Sequence, residues 1–175
     1  MKKLLILLVV VLGITSCSPR FFVRTESELK QMDLALEVRN YIPIADSLLL
    51  SSEILNKTYS MLQKEKFWSL NKYLSSKTTD NQDYYLARTM ALLSEGGIYA
   101  YEALEYWKKL DGEQYPVLKD LMLIDISTEI AQKQEIKNKD KFLSDYQALI
   151  NKYPNNELLK QLVVIRMRYI KNINE

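Results

Sequence analysis

Histidine is absent from the 175 residues, cysteine occurs once, and glycine and proline occur four times each. Each scarcity excludes a class of chemistry. Without histidine there is no Ser-His-Asp or Cys-His catalytic unit, and no His-ligated metal or haem. A single cysteine closes no intramolecular disulfide and builds no zinc cluster. The glycines are Gly13, Gly96, Gly97 and Gly112, so there is no glycine-rich loop to cradle phosphates. No stretch alternates with period two for long enough to read as a strand. What is present is 47% hydrophobic and 26% charged residues, the composition of one folded domain of ordinary size.

The amino terminus reads as an address. Met1-Lys2-Lys3 is a short positive start, and Leu4 to Leu12 is an unbroken apolar run. That run is too short to span the ~30 Å hydrocarbon core of a bilayer, and it has the length of a signal-peptide core. Ile14-Thr15-Ser16-Cys17 follows it, and Ser18, Pro19 and Arg20 end the apolar character at once. These four residues resemble the lipobox of bacterial lipoproteins: an apolar residue, two small ones and a cysteine. The resemblance implies lipid transfer to the Cys17 thiol, cleavage before Cys17 and acylation of the new amine. One acyl chain binds a membrane only marginally, whereas two or three hold a protein there stably. Ser18 in place of an aspartate favours, by the same resemblance, the outer membrane, and the absence of an acidic stretch after Cys17 favours its periplasmic face.

The expected division is a signal peptide over 1–16, the lipidated cysteine and a tether over 17–24, and a helical domain over 25–175. Cleavage leaves 159 residues with 22 basic and 22 acidic side chains. That balance, with the signs interspersed, argues against nucleic acid as a partner. From Thr25 the apolar period is helical. Thr25-Glu26-Ser27-Glu28 forms a capping box, and Pro43 ends that helix near Asn40. Further helices are expected from Ala45 or Asp46 to about Leu62, and over 65–75, 82–94, 98–110, 117–134, 141–152 and 157–171, separated by cap-rich or glycine- and proline-bearing turns. The helix over 98–110 is apolar or aromatic nearly all round and is expected to be central. The fold class is all-α, built of antiparallel helix pairs.

Trp68, Trp107 and Tyr146 are spaced 39 residues apart. Tyr146, Leu149 and Pro154 follow one another by three and five residues, and Trp107 and Leu110 repeat the first step. From about Gln82 to the end the chain therefore resembles tetratricopeptide helix pairs, with Ala103 as the small packing residue of a second helix. The step is longer than that family's, and its first-helix Trp-Leu-Gly pattern is missing. An irregular helical bundle is the alternative.

Tyr84, Tyr85, Tyr99, Tyr101, Tyr106 and Trp107 crowd two neighbouring helices. Tyr and Trp combine large rigid contact area with a polar end and favour interfaces. Tyr84, Tyr85, Tyr99, Tyr101 and Trp107 are thus the candidate binding residues, weighed against simple core packing. Glu95, at a helix end, resembles the acid of lytic transglycosylases, but the serine and the downstream motif of that family are missing. Asp120, Asp125, Glu129 and Glu135 lack the loop of a calcium site and read as solvated helix faces. No cofactor and no metal is expected.

The expectation is a non-enzymatic lipoprotein, held on the membrane through Cys17, whose helical domain scaffolds or recruits another envelope protein. A peptide- or glycan-binding lipoprotein with a Tyr/Trp-lined groove is the alternative, and a cell-wall hydrolase a distant third.

Overall fold

The structure is a computed structural model and describes Tyr41 and residues 52–95, 97–134 and 138–172. Cys17, the capping box at Thr25 and the helix expected before Pro43 lie outside the described residues. Within them the chain is all-α, with seven α-helices and one short 3-10 turn and no strand.

Helix α1 spans Glu53–Gln63. Ser52 is extended and its Oγ accepts the Leu55 N–H at 3.2 Å, an N-cap that satisfies one of the free amides of the first turn. The cap sets the start of α1 several residues later than the apolar pattern from Ala45 suggested. A turn containing Glu65, in the left-handed region at φ 53°, leads to α2, Phe67–Ser75. Helix α3 runs over Gln82–Ser94, and the Asn81 side chain accepts the Tyr84 N–H at 2.9 Å. The 3-10 turn Gly97–Tyr99 leads into α4, Ala100–Trp107. Three longer helices follow: α5 over Pro116–Lys133, α6 over Lys139–Lys152 and α7 over Glu157–Asn172. Pro116 opens α5 at the position where its missing N–H costs nothing. Asn156 accepts the Leu159 N–H and starts α7.

Each helix packs on the next in sequence, and α1 also packs on α3. Every residue of α3 from Tyr84 to Ser94 is buried, because this helix meets α1, α2, α4 and α5. The central helix is therefore α3. In α4 only Ala100 and Ala103 are buried, so the expectation that the 98–110 segment lies at the centre is corrected. Its many apolar and aromatic positions gave it that appearance, yet Ile98, Tyr99 and Tyr101 point outward. The core threads Leu70 and Leu74 of α2, Leu86 and Met90 of α3, Leu118, Leu121 and Met122 of α5, Tyr146 of α6, and Leu159 and Val163 of α7.

Arg88 ties three helices together from the middle of α3. Its Nη2 donates to Glu102 Oε1 at 2.7 Å on α4, and its Nη1 to Asn71 Oδ1 and Ser75 Oγ, each at 3.3 Å, on α2. The guanidinium also lies 4.9 Å from the centre of the Tyr106 ring. A planar fork that serves several acceptors at once is a geometry lysine does not supply.

Candidate functional site

Two places gather chemistry-bearing side chains, one inside the domain and one on its surface. The interior one starts from sequence positions that look out of register with their side chains. In α7, Leu159, Leu162, Val163, Arg166 and Ile170 are the buried residues, so an arginine occupies the apolar stripe. In α5 the buried set includes Leu118, Leu121, Met122, Asp125 and Ile126, and an aspartate does the same. A buried charge is tolerated when it is paired and hydrogen-bonded. Arg166 Nε accordingly donates to Asp125 Oδ1 at 2.8 Å and Oδ2 at 2.9 Å.

Two phenols complete the carboxylate's shell. The Tyr41 hydroxyl donates to Oδ2 at 2.6 Å, and the Tyr146 hydroxyl to Oδ1 at 2.5 Å. Tyr41 also lays its ring 5.0 Å from the guanidinium carbon, a cation–π contact in a desolvated setting. Burial, and then the negative charge of Asp125, push both phenols well above their ordinary pKa. Both remain neutral donors. Burial alone would lower the Arg166 pKa, but Asp125 and the two tyrosines more than offset it and raise it.

The arginine's Nη1 and Nη2 are buried without a hydrogen-bond partner. Next to them lies a cavity of about 20 Å³ whose lining includes Leu93, Thr128, Glu129 and Tyr169, room for about one water. The arrangement is an electrostatic staple. It joins α5, α6, α7 and Tyr41, and its carboxylate oxygens are already occupied by three donors. Asp125 thus belongs to the core and not to a solvated helix face, contrary to expectation. Asp120 accepts from Lys152 Nζ and the Tyr153 hydroxyl, each at 2.6 Å. Glu129 lines the cavity, and Glu135 lies outside the described residues. Among the described residues no group of three or more His, Cys, Asp or Glu is placed to hold a metal ion.

The aromatic candidates divide between interior and surface. Tyr84 and Tyr85 are buried. Tyr84 meets Tyr106 edge to face, with ring centres 6.0 Å apart, and its hydroxyl reaches the Leu74 carbonyl at 3.4 Å. The Tyr85 hydroxyl bonds to Asp80. Trp107 is half-buried and its Nε1–H donates to the Lys119 carbonyl at 2.7 Å. These three rings therefore spend their polar ends within the domain. Tyr99 and Tyr101 are instead 39% and 50% exposed, beside Ile98 at 71%. The end of α5 holds this turn: Gln134 Nε2 donates to the Tyr101 hydroxyl at 2.8 Å, and Lys133 Nζ to the Ile98 carbonyl. The outward placement of Ile98 was not legible, because a lone isoleucine at helical spacing reads as core. Glu95 is the half-buried C-cap residue of α3.

No family model, no curated protein and no solved structure matches this chain. Among the described residues no helix is long and apolar enough to cross a membrane.

Proposed function

We propose that the protein is a non-enzymatic envelope lipoprotein, anchored through Cys17 at the periplasmic face of the outer membrane, whose helical domain recruits another envelope protein. The observation that carries the binding part is the turn Ile98–Tyr101. Three large apolar side chains stand exposed within four residues on a backbone pinned by Lys133 and Gln134. Contiguous exposed apolar groups mark interaction sites, and tyrosine on a rigid support gives contact area at small entropic cost. The anchoring part rests on the lipobox-like Ile14-Thr15-Ser16-Cys17. Helix-on-next-helix packing and a fully buried Ala103 support a tetratricopeptide-like arrangement. A glycan or peptide groove draws less support, since Tyr84, Tyr85 and Trp107 bond within the domain.

Photo-crosslinking residues placed at Ile98 and Tyr101 in cells test the reading. A discrete adduct with one envelope protein is expected from both positions. The exposed Val164 on α7 is the control. Equal, diffuse labelling from all three positions would remove the Ile98–Tyr101 turn as the contact surface.

A further inference from the structure

The α1–α2 hairpin gathers positive charge. Between positions 57 and 77 stand Lys57, Lys64, Lys66, Lys72 and Lys77 against one acid, Glu65, and no arginine. The stretch therefore holds +4 of a chain whose total is +2, leaving −2 for all other residues. Four of the five lysines are exposed and Lys77 is partly so. Of the neighbouring acids, Asp80 is engaged by the Tyr85 hydroxyl and Glu53 stands at the first residue of α1.

On the same hairpin, α2 buries Leu70 and Leu74 and turns Trp68 outward. Trp68 is 73% exposed, the highest value of any large apolar side chain among the described residues. One helical turn further on, Lys72 holds its Nζ 5.4 Å from the indole centre. Lys57 and Lys77 bring theirs to 4.4 and 4.9 Å from the Tyr73 ring. Exposed indole and lysine on one short helix form an amphipathic surface of a particular kind. Tryptophan concentrates at membrane–water boundaries. Lysine lays its alkyl stem on apolar surface and lifts its charge to the polar layer. Clustered lysines are drawn to anionic lipid headgroups.

We propose that the Lys57–Lys77 hairpin is a docking surface for anionic phospholipid, with Trp68 at the level of the headgroups and the lysines on their phosphates. This rests on the reading of Cys17 as a lipid anchor and adds to it. On that reading, residues 17–24 tether the domain near the bilayer. Tethering raises the effective lipid concentration, so a weak surface suffices. Docking through α2 then decides which side of the domain faces away from the membrane.

The test uses the full chain, reconstituted into vesicles of phosphatidylglycerol with phosphatidylethanolamine and, separately, of phosphatidylcholine. Flotation reads the anchor. The difference in emission between the native chain and Trp68→Phe isolates Trp68. A blue shift of Trp68, with quenching by brominated lipid, is expected in the anionic vesicles only. High salt should remove it, as should the combined Lys64→Glu, Lys66→Glu and Lys72→Glu, with helical content unchanged. A chain that floats while Trp68 emits alike in both vesicle types overturns the docking surface and leaves the anchor standing. Should the chain fail to float, the anchor reading falls, and the same emission in excess vesicles still decides docking. An equal shift with soluble polyglutamate would make the hairpin a site for acidic protein and overturn the lipid proposal.

Discussion

Arg166 of α7 rests its Nε–H across both oxygens of Asp125 on α5, at 2.8 and 2.9 Å, with both side chains buried. Two charges in a core are stable only together. Removing one leaves the other desolvated and uncompensated, at about 3–5 kcal/mol, whereas replacing both with apolar groups can be neutral. Asp125→Ala should therefore destabilise by about that amount. The double variant Asp125→Leu, Arg166→Met should cost far less than the two single changes together. Urea unfolding of the full cycle measures the coupling, and additive losses would show that the pair does not act as a unit.

The two phenols on Asp125 make the fold sensitive to alkali. Tyr41 and Tyr146 have native pKa values raised above the ordinary one by burial first and by Asp125 second. Above the unfolded value of about 10, the native state holds protons that the unfolded chain releases. Their contribution is thus complete below about pH 10 and lost as pH rises towards the native values. Melting temperature should fall between about pH 10 and 12. The fall should be shallower in Tyr41→Phe and Tyr146→Phe, and each variant should lose one late-ionising tyrosine in an absorbance titration.

Ala103 of α4 is fully buried. A larger side chain there must displace neighbours, at about 1–3 kcal/mol. Ala103→Leu should lower the denaturation midpoint correspondingly. An unchanged midpoint would mean that the contact between α4 and its neighbours is looser than its burial implies.

The exposed turn should behave in the opposite way. Ile98→Ser and Tyr101→Ser remove surface groups and should move stability by no more than about 0.5 kcal/mol. If the turn binds a partner, the same changes should weaken affinity by about 1–2 kcal/mol or more. Paired calorimetry of unfolding and of partner binding separates the two effects.

Cys17→Ala should abolish incorporation of a palmitate analogue and leave a precursor that is uncleaved or misplaced in the envelope. Normal maturation and membrane retention of this variant would sink the lipid-anchor reading. It would leave the helical domain and its exposed turn unaffected.

Apolar period and cap residues alone place most of the helices. Asn81 opens α3, Pro116 opens α5 and Asn156 opens α7, each through a local backbone requirement that a sequence displays directly. The boundaries that moved are those set by competing local signals. Ser52 caps α1 in a stretch whose apolar residues continue on either side of it, and the segment after Ser94 begins as a 3-10 turn before α4. Of the aromatic candidates, nothing local separates Tyr84 from Tyr101, since both occupy helical positions rich in tyrosine. The difference arises from what packs over them, Leu74 and Tyr106 at Tyr84 and solvent at Tyr101.

Composition and short-range pattern by themselves determined the all-helical class, because helix period and capping are properties of neighbours in the chain. The likeness of Ile14-Thr15-Ser16-Cys17 to a lipobox is likewise a pattern of neighbours in the chain. Only tertiary structure decided that α3 and not α4 is central, and that Trp68 and Ile98 face outward. It alone paired Asp125 with Arg166 across 41 residues and brought Tyr41 onto the same carboxylate across 84. A charge on an apolar stripe signals a buried partner without naming it. The partner is chosen where helices distant in sequence meet, by the need to neutralise a charge withdrawn from water.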